Sequence, residues 1–268
     1  MQIHNNCYRY VWLLSGTGEG PHIAQALLEK GWRVFVSVVT PQAALSYSGM
    51  ALEAIWIGAL EGEDQIKQIL DKLKNESKKI RCIVDATHPF ATLISSQLIQ
   101  ACKFSDYVLI RFDRPIYNSP SSVFLTDSNQ LKDFPLKGKR LLLAIGSRYL
   151  SKYVFNARKS GARVFARVLP NPRSIIGALN CSIPEEDIAV LKPFDSSSEG
   201  ETELALCRRW SINSILCRQS GGLTQFSWQR ICQENNLKLF LIARPKIQNS
   251  FDTVFSVKDL LDKLNKIR

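Results

Sequence analysis

Three glycines in six residues, Ser15-Gly16-Thr17-Gly18-Glu19-Gly20, follow the apolar run Val11 to Leu14 and lead into a helical pattern opening near Pro21. Positions without side chains let a phosphate approach the backbone, and the amides and positive dipole end of the next helix supply its donors. This is the physical basis of dinucleotide binding. The spacing is G-x-G-x-G, with Pro21 where G-x-G-x-x-G has its third glycine, so a tight strand-to-helix turn without a ligand stands as the alternative. About twenty residues on, where an acid would accept from the ribose hydroxyls of NAD, Ser37-Val38-Val39-Thr40 has none. A 2′-phosphate is tolerated there, with Ser37 and Thr40 as donors, which favours NADPH while leaving NADH open. Capping of the next turn is the other use for those hydroxyls.

A second cluster, Val84-Asp85-Ala86-Thr87-His88-Pro89-Phe90, joins a buried strand to a helix with proline in its first turn. Asp85 and His88 fall at a carboxyl strand end, where α/β sheets bind ligands and where a histidine can donate a proton or orient a ligand. The plainer reading has Asp85 or Thr87 capping the helix and His88 packing beside Pro89. Later, Gly146-Ser147-Arg148 and Gln219-Ser220-Gly221-Gly222 each follow a strand and have the composition of anion nests. Arg111, Arg114, Arg167, Arg218 and Arg244 sit at strand ends, and with Arg173 those of the second half would give it a cationic wall. A planar guanidinium suits carboxylate or phosphate.

The elements that must position these residues are legible as periodicity. Short apolar runs at 11–14, 34–39, 80–84 and 108–112 alternate with helical stretches at 20–30, 63–75 and 90–104. Continuous rather than alternating apolar strands imply a parallel sheet covered on both faces. The second half repeats this with strands near 140–145, 163–168, 187–191, 214–218 and 238–242. At an offset of 130, Gly31-Trp32-Arg33-Val34-Phe35 falls on Gly161-Ala162-Arg163-Val164-Phe165, Gly16-Thr17 on Gly146-Ser147, and Arg114-Pro115 on Arg244-Pro245. The expected fold is α/β: two similar Rossmann-like lobes, each a mainly parallel sheet flanked by helices, with an interlobe cleft. The polar stretch Thr126 to Gly138 reads as a linker, giving a cofactor-binding lobe over 1–130 and a second lobe over 131–268.

Composition sets the limits. The 268 residues are 45% hydrophobic, with 35 Lys and Arg against 24 Asp and Glu and a formal charge of +11. That excludes a disordered or fibrous chain. No apolar run reaches the roughly 18 to 20 residues of a membrane span and the opening ten residues are polar, so the expectation is a soluble, cytoplasmic protein. The seven cysteines are odd in number and scattered, indicating neither a disulfide framework nor a metal site. The positive charge needs an anionic partner: nucleic acid, a membrane surface or a polyanionic small ligand. The strand-end arginines favour the last.

These motifs together resemble the precorrin-6A and cobalt-precorrin-6A reductase family of cobalamin biosynthesis over nearly the whole chain. The resemblance is carried by Ser15 to Glu19, by Asp85-Ala86-Thr87-His88-Pro89-Phe90-Ala91 and by Arg111-Phe112-Asp113-Arg114-Pro115. Ile145 to Arg148, Arg167 to Pro170, Pro193-Phe194, Ser220 to Gly222 and Arg244-Pro245 support it. The chain departs from the family pattern at Ser15, at Lys192 and at Arg218-Gln219.

The resemblance implies a two-lobed enzyme passing hydride from a reduced nicotinamide to a ring-contracted tetrapyrrole with many carboxylate arms, yielding precorrin-6B or its cobalt form. Cofactor binding is expected of Gly16, Thr17, Gly18, Glu19, Ser37, Thr40 and Thr87. Catalysis falls to His88 and Asp85. Substrate binding is assigned to Arg111, Arg114, Arg148, Arg167, Arg218, Ser220, Gly221, Gly222 and Arg244. No metal is expected in the protein itself. A different NADP-dependent reductase of the short-chain type would need a Tyr-x-x-x-Lys pair, which is absent, and a nucleotide-sensing module would bind cofactor without turnover. Nucleic-acid binding lacks any signature motif.

Overall fold

The computed structural model describes residues 9–103, 105–116, 122–192, 200–246 and 251–267. The Pro193-Phe194 motif and Cys7 lie outside them. The first half of the chain runs β1 (Tyr10–Ser15), α1 (Gly20–Glu29), β2 (Arg33–Val38), α2 (Pro41–Leu45), β3 (Ala54–Ile57), α3 (Gly62–Asn75), β4 (Ile80–Ala86), α4 (Thr92–Cys102), β5 (Val108–Phe112) and β6 (Ser122–Leu125). It continues with β7 (Arg140–Ala144), α5 (Ser147–Lys159), β8 (Arg163–Val168), α6 (Pro172–Leu179), β9 (Ile188–Val190), α7 (Glu201–Arg209), β10 (Ser214–Arg218), α8 (Leu223–Glu234), β11 (Lys238–Ile242), β12 (Asp252–Val254) and α9 (Val257–Leu264).

The described strands form two six-stranded sheets with every neighbouring pair parallel, in the orders β12-β5-β4-β1-β2-β3 and β6-β11-β10-β7-β8-β9. The α/β reading of the periodicity is therefore the observed architecture. The strands are apolar throughout because both faces are covered. Val11 and Leu13 pack on one side with Ile23 and Leu27 of α1, while Tyr10, Trp12 and Leu14 pack on the other with Ile66, Leu70 and Leu98 of α3 and α4. Helix α3 places Glu63 and Asp64 in its first turn and Lys72 and Lys74 in its last, matching its dipole. For β1–β2 and β7–β8 the offset of 130 is exact in register: Tyr10 pairs with Arg33, and Arg140 with Arg163.

The expected division of the chain into consecutive lobes needs correcting. The compact units are Met1–Arg114 together with Pro245–Arg268, and Pro115–Arg244. Strand β6 follows β5 in sequence but pairs with β11, and β12 follows β11 but pairs with β5, so each sheet takes its sixth strand from the other half of the chain. The supposed linker at 126–138 lies inside the second unit. There Asp127 and Gln130 build a capping box on a 3-10 turn over Ser128–Asp133, with Ser128 and Leu131 buried. Helix α9 completes the first unit's core through the fully buried Leu260 and Leu264. No helix among the described residues is long and apolar enough to cross a membrane.

Candidate active site

Sheet order reverses between β1 and β4, and ligands bind doubly wound sheets beyond the carboxyl ends of the strands at that point. In the first unit the two segments there are Ser15–Gly20 and Ala86–Ala91. They are tied together: Gly16 donates its amide to the Ala86 carbonyl at 3.3 Å, and the Thr17 hydroxyl donates to the same oxygen at 3.4 Å. A Cβ at Gly16 would lie 3.2 Å from the His88 nitrogen, and one at Gly20 would collide with the Ser15 and Tyr47 hydroxyls. Gly18 is different. Its backbone has no need of glycine's extra freedom, and a Cβ there would meet nothing within 4 Å. Internal packing thus explains Gly16 and Gly20 but not Gly18. The first turn of α1 holds no acid and the N-cap Glu19 is paired with Arg114, so the chemistry of this turn suits a phosphate group.

Beside it, Asp85 and Arg111 are register partners on β4 and β5. Asp85 Oδ1 accepts from Arg111 Nη1 at 2.8 Å, from the Thr87 amide at 3.0 Å and from the Thr87 hydroxyl at 2.6 Å; Oδ2 accepts from the Ser95 hydroxyl at 2.6 Å. Arg111 Nη2 donates to the Thr87 carbonyl at 2.9 Å, and Nη1 to its hydroxyl at 3.0 Å. His88 is half-buried, and its Nδ1 accepts the Phe90 amide at 3.1 Å, so the neutral imidazole carries its hydrogen on Nε2.

Several expected roles change on this geometry. Asp85 and Arg111 face inward and hold a loop, so neither offers an acid, a base or a carboxylate clamp to a ligand. The Thr87 hydroxyl is directed at Asp85 rather than outward. Ser37 is buried and accepts from the Trp12 indole at 2.9 Å, and Thr40 caps α2 by accepting from the Ala43 amide at 3.2 Å. Arg114 pairs with Glu19. Burial pushes the Glu19 carboxyl up, but hydrogen bonds from Arg114 and Thr17 and the Arg114 charge outweigh it, leaving the group below its ordinary value.

In the second unit the order reverses between β7 and β10. Gly146 begins α5 at φ +82°, no acid occupies the first turn, and Arg148 is exposed there. The Arg218 guanidinium lies 3.8 Å from where a Gly146 Cβ would stand and 5.8 Å from the Tyr149 ring centroid. Burial pulls its pKa down, and Arg148 adds to that. Ser220 is buried, and its amide donates to the Arg218 carbonyl at 2.8 Å. The Gly221 amide donates to Gln225 Oε1 at 2.8 Å instead of waiting for an anion, and Gly222 begins α8. Arg167 is buried, donating to the Lys192 carbonyl and 3.5 Å from Glu203, so it serves the interior of its own unit. Arg244 is half-buried, its amide and Nε donating to the side-chain and backbone oxygens of Gln219. Arg173 is exposed on α6.

The family described as precorrin-6x reductase CbiJ/CobK matches residues 10–265. The chain belongs to that family. Among curated relatives of the chain, the cobalt-precorrin-6A reductase of Synechocystis sp. is 31% identical over 242 residues, 88% of each chain. That of Priestia megaterium is 27% identical over 253 residues, covering 92% of this chain and 94% of the relative. A solved structure of CobK precorrin-6A reductase has the same fold, with a TM-score of 0.75 at 20% identity over 96% of each chain. The precorrin-6x reductases are oxidoreductases, and the chain is an enzyme of that class. Reading its sequence missed Ser95, which bonds the carboxylate of Asp85. Its one signal is a serine ten residues past an aspartate on an otherwise apolar helix face, too common a pattern to single out.

Proposed function

We propose that the protein reduces precorrin-6A, or its cobalt form, to the corresponding precorrin-6B with NADPH as hydride donor. The observation that carries this reading is the Gly16–Gly20 turn docked on Ala86–His88 where the first sheet's order reverses, with Gly18 unexplained by any internal contact. A reduced nicotinamide bound there supplies the hydride. The α1 amides and dipole hold its phosphates. The absence of an acid over 37–40 supports NADPH over NADH; Ser37 and Thr40, already engaged, add nothing to that preference. His88 holds a proton on Nε2, placed to orient or protonate the reacting macrocycle. In the second unit considered by itself, Arg218 and Arg148, at the strand tip and helix start, are guanidinium groups whose chemistry suits carboxylates. The names of the Synechocystis and Priestia relatives support the cobalt form as substrate.

Anaerobic incubation with each reduced nicotinamide and each form of the tetrapyrrole, following nicotinamide absorbance, tests the whole assignment. Oxidation of NADPH only when a precorrin-6A form is present is the expected result. Oxidation with neither form ends it.

A further inference from the structure

We propose that Asp85, Arg111 and Ser95 are positioning residues for the reaction: a buried unit that holds the Thr87–His88 peptide against the cofactor turn and so fixes where His88 stands. This rests on the His88 and cofactor readings given above.

The side chains of Asp85 and Arg111 are each 3% exposed and Ser95 is 1% exposed, so none can meet a ligand without unfolding the loop. Their bonds converge on one residue. The amide, hydroxyl and carbonyl of Thr87 are all engaged, the first two by Asp85 and the last two by Arg111. Ser95 closes the fourth side by donating to Asp85 Oδ2 and accepting from Arg111 Nη1 at 3.4 Å. The clamped peptide then meets the glycine turn, with His88 nitrogen 3.2 Å from a Gly16 Cβ position and Ala86 carbonyl accepting from Gly16 and Thr17. A slack Thr87 moves His88 relative to the turn that seats the nicotinamide, and misplacement on the order of 1 Å is enough to cost about 100-fold in rate.

The fold itself does not require this unit. In register, Asp85 stands between Leu14 and Arg111; the position between Ala144 and its β11 partner in the second sheet is Cys217, whose partner is Leu241. An apolar pair fills the same place in the same topology.

Asp85→Asn strands a buried cation and risks the fold, so Ser95→Ala, which removes one hydroxyl, is the deciding variant. Turnover of the tetrapyrrole, nicotinamide affinity by fluorescence titration and thermal stability are measured for Ser95→Ala, His88→Ala and the double variant. Ser95→Ala is expected to lower kcat about 10-fold with nicotinamide Kd changed less than about 3-fold, as for one hydrogen bond to a charged group. In the His88→Ala background the same change is expected to lower kcat no further, since its effect passes through His88. Independent, multiplying losses overturn the positioning role while leaving His88 in place, and so does a Ser95→Ala variant that loses stability but not kcat. If His88→Ala alone keeps kcat within about 3-fold, the His88 reading falls and the positioning role falls with it.

Discussion

The two sheets share strand order, and β1–β2 and β7–β8 pair in the same register at an offset of 130 residues, yet the sheets place charge differently at the point where their order reverses. In the first, the charge lies one residue inside the strand, as the Asp85–Arg111 pair, and is consumed in fixing Thr87. In the second, that inner position is the apolar Cys217–Leu241 pair, and the cation has moved to the strand tip as Arg218, above Gly146. Even the paired Arg-Pro positions diverge: Arg114 engages Glu19 of the glycine turn, whereas Arg244 engages Gln219. Two copies of one scaffold have been given different tasks, a rigid seat built by an inner ion pair in one and a half-buried guanidinium at the strand tip in the other.

The largest test of that contrast is to erase the inner pair. Asp85→Asn should lower unfolding free energy by about 3 to 5 kcal/mol in urea titrations, because Arg111 is left buried without its carboxylate. Installing the second sheet's solution, Asp85→Cys with Arg111→Leu, should bring stability back to within about 1 to 2 kcal/mol of the parent. Its kcat should nevertheless stay at least about 10-fold low. Full turnover from the double variant would mean that the two sheets differ in composition but not in task.

The glycines offer a second, smaller contrast. Gly20→Ala forces a methyl into Ser15 and Tyr47 and should cost about 1 to 3 kcal/mol. Gly18→Ala should keep stability within about 0.5 kcal/mol while weakening nicotinamide binding about 10-fold or more. Equal affinities for Gly18→Ala and parent would remove that turn as the cofactor seat.

In the second unit, Arg218→Met should raise the tetrapyrrole KM about 10-fold, leave nicotinamide Kd unchanged and flatten the dependence of KM on salt. A KM that does not respond would assign Arg218 to its own unit's packing. The smallest effect concerns Glu19. Its carboxyl sits below the ordinary value of 4.5 in the folded state, so the unfolded chain binds that proton more tightly. The stabilisation is complete above about pH 4.5 and disappears as pH falls through the lowered folded value. Between pH 5 and 3 the parent's unfolding free energy should drop more steeply than that of Glu19→Gln, by under about 1 kcal/mol for a partly solvated pair, as read from urea titrations at each pH.

Much of the scaffold was legible because apolar periodicity records burial directly: the interior strands, from Val11 to Leu14 through Lys238 to Ile242, announce themselves as mostly apolar runs interrupted by a few charges such as Arg81 and Arg167. The short edge strands β3, β6 and β12 did not, since three or four residues of mixed exposure leave no periodic signature, whereas the equally short β9 is marked by the apolar run Ile188 to Leu191. The exchange of β6 and β12 was invisible for a deeper reason. Pairing is a property of the assembled sheet, and chain order suggests a strand belongs with its sequence neighbours. At the site, the glycine turn and the His88 segment were readable from residue type. The inward aim of Asp85 and Arg111 was not, because it follows from β4 and β5 lying side by side in register, which no spacing along the chain encodes.

The exchanged edge strands also set an order of completion during synthesis. All the strands of the second sheet have been made once Ile242 leaves the ribosome, while the first sheet still lacks β12 and the two leucines of α9 that cover its core. The part of the molecule begun first is therefore finished last, and until β12 and α9 have been translated its greasy underside stands open to chaperones and proteases.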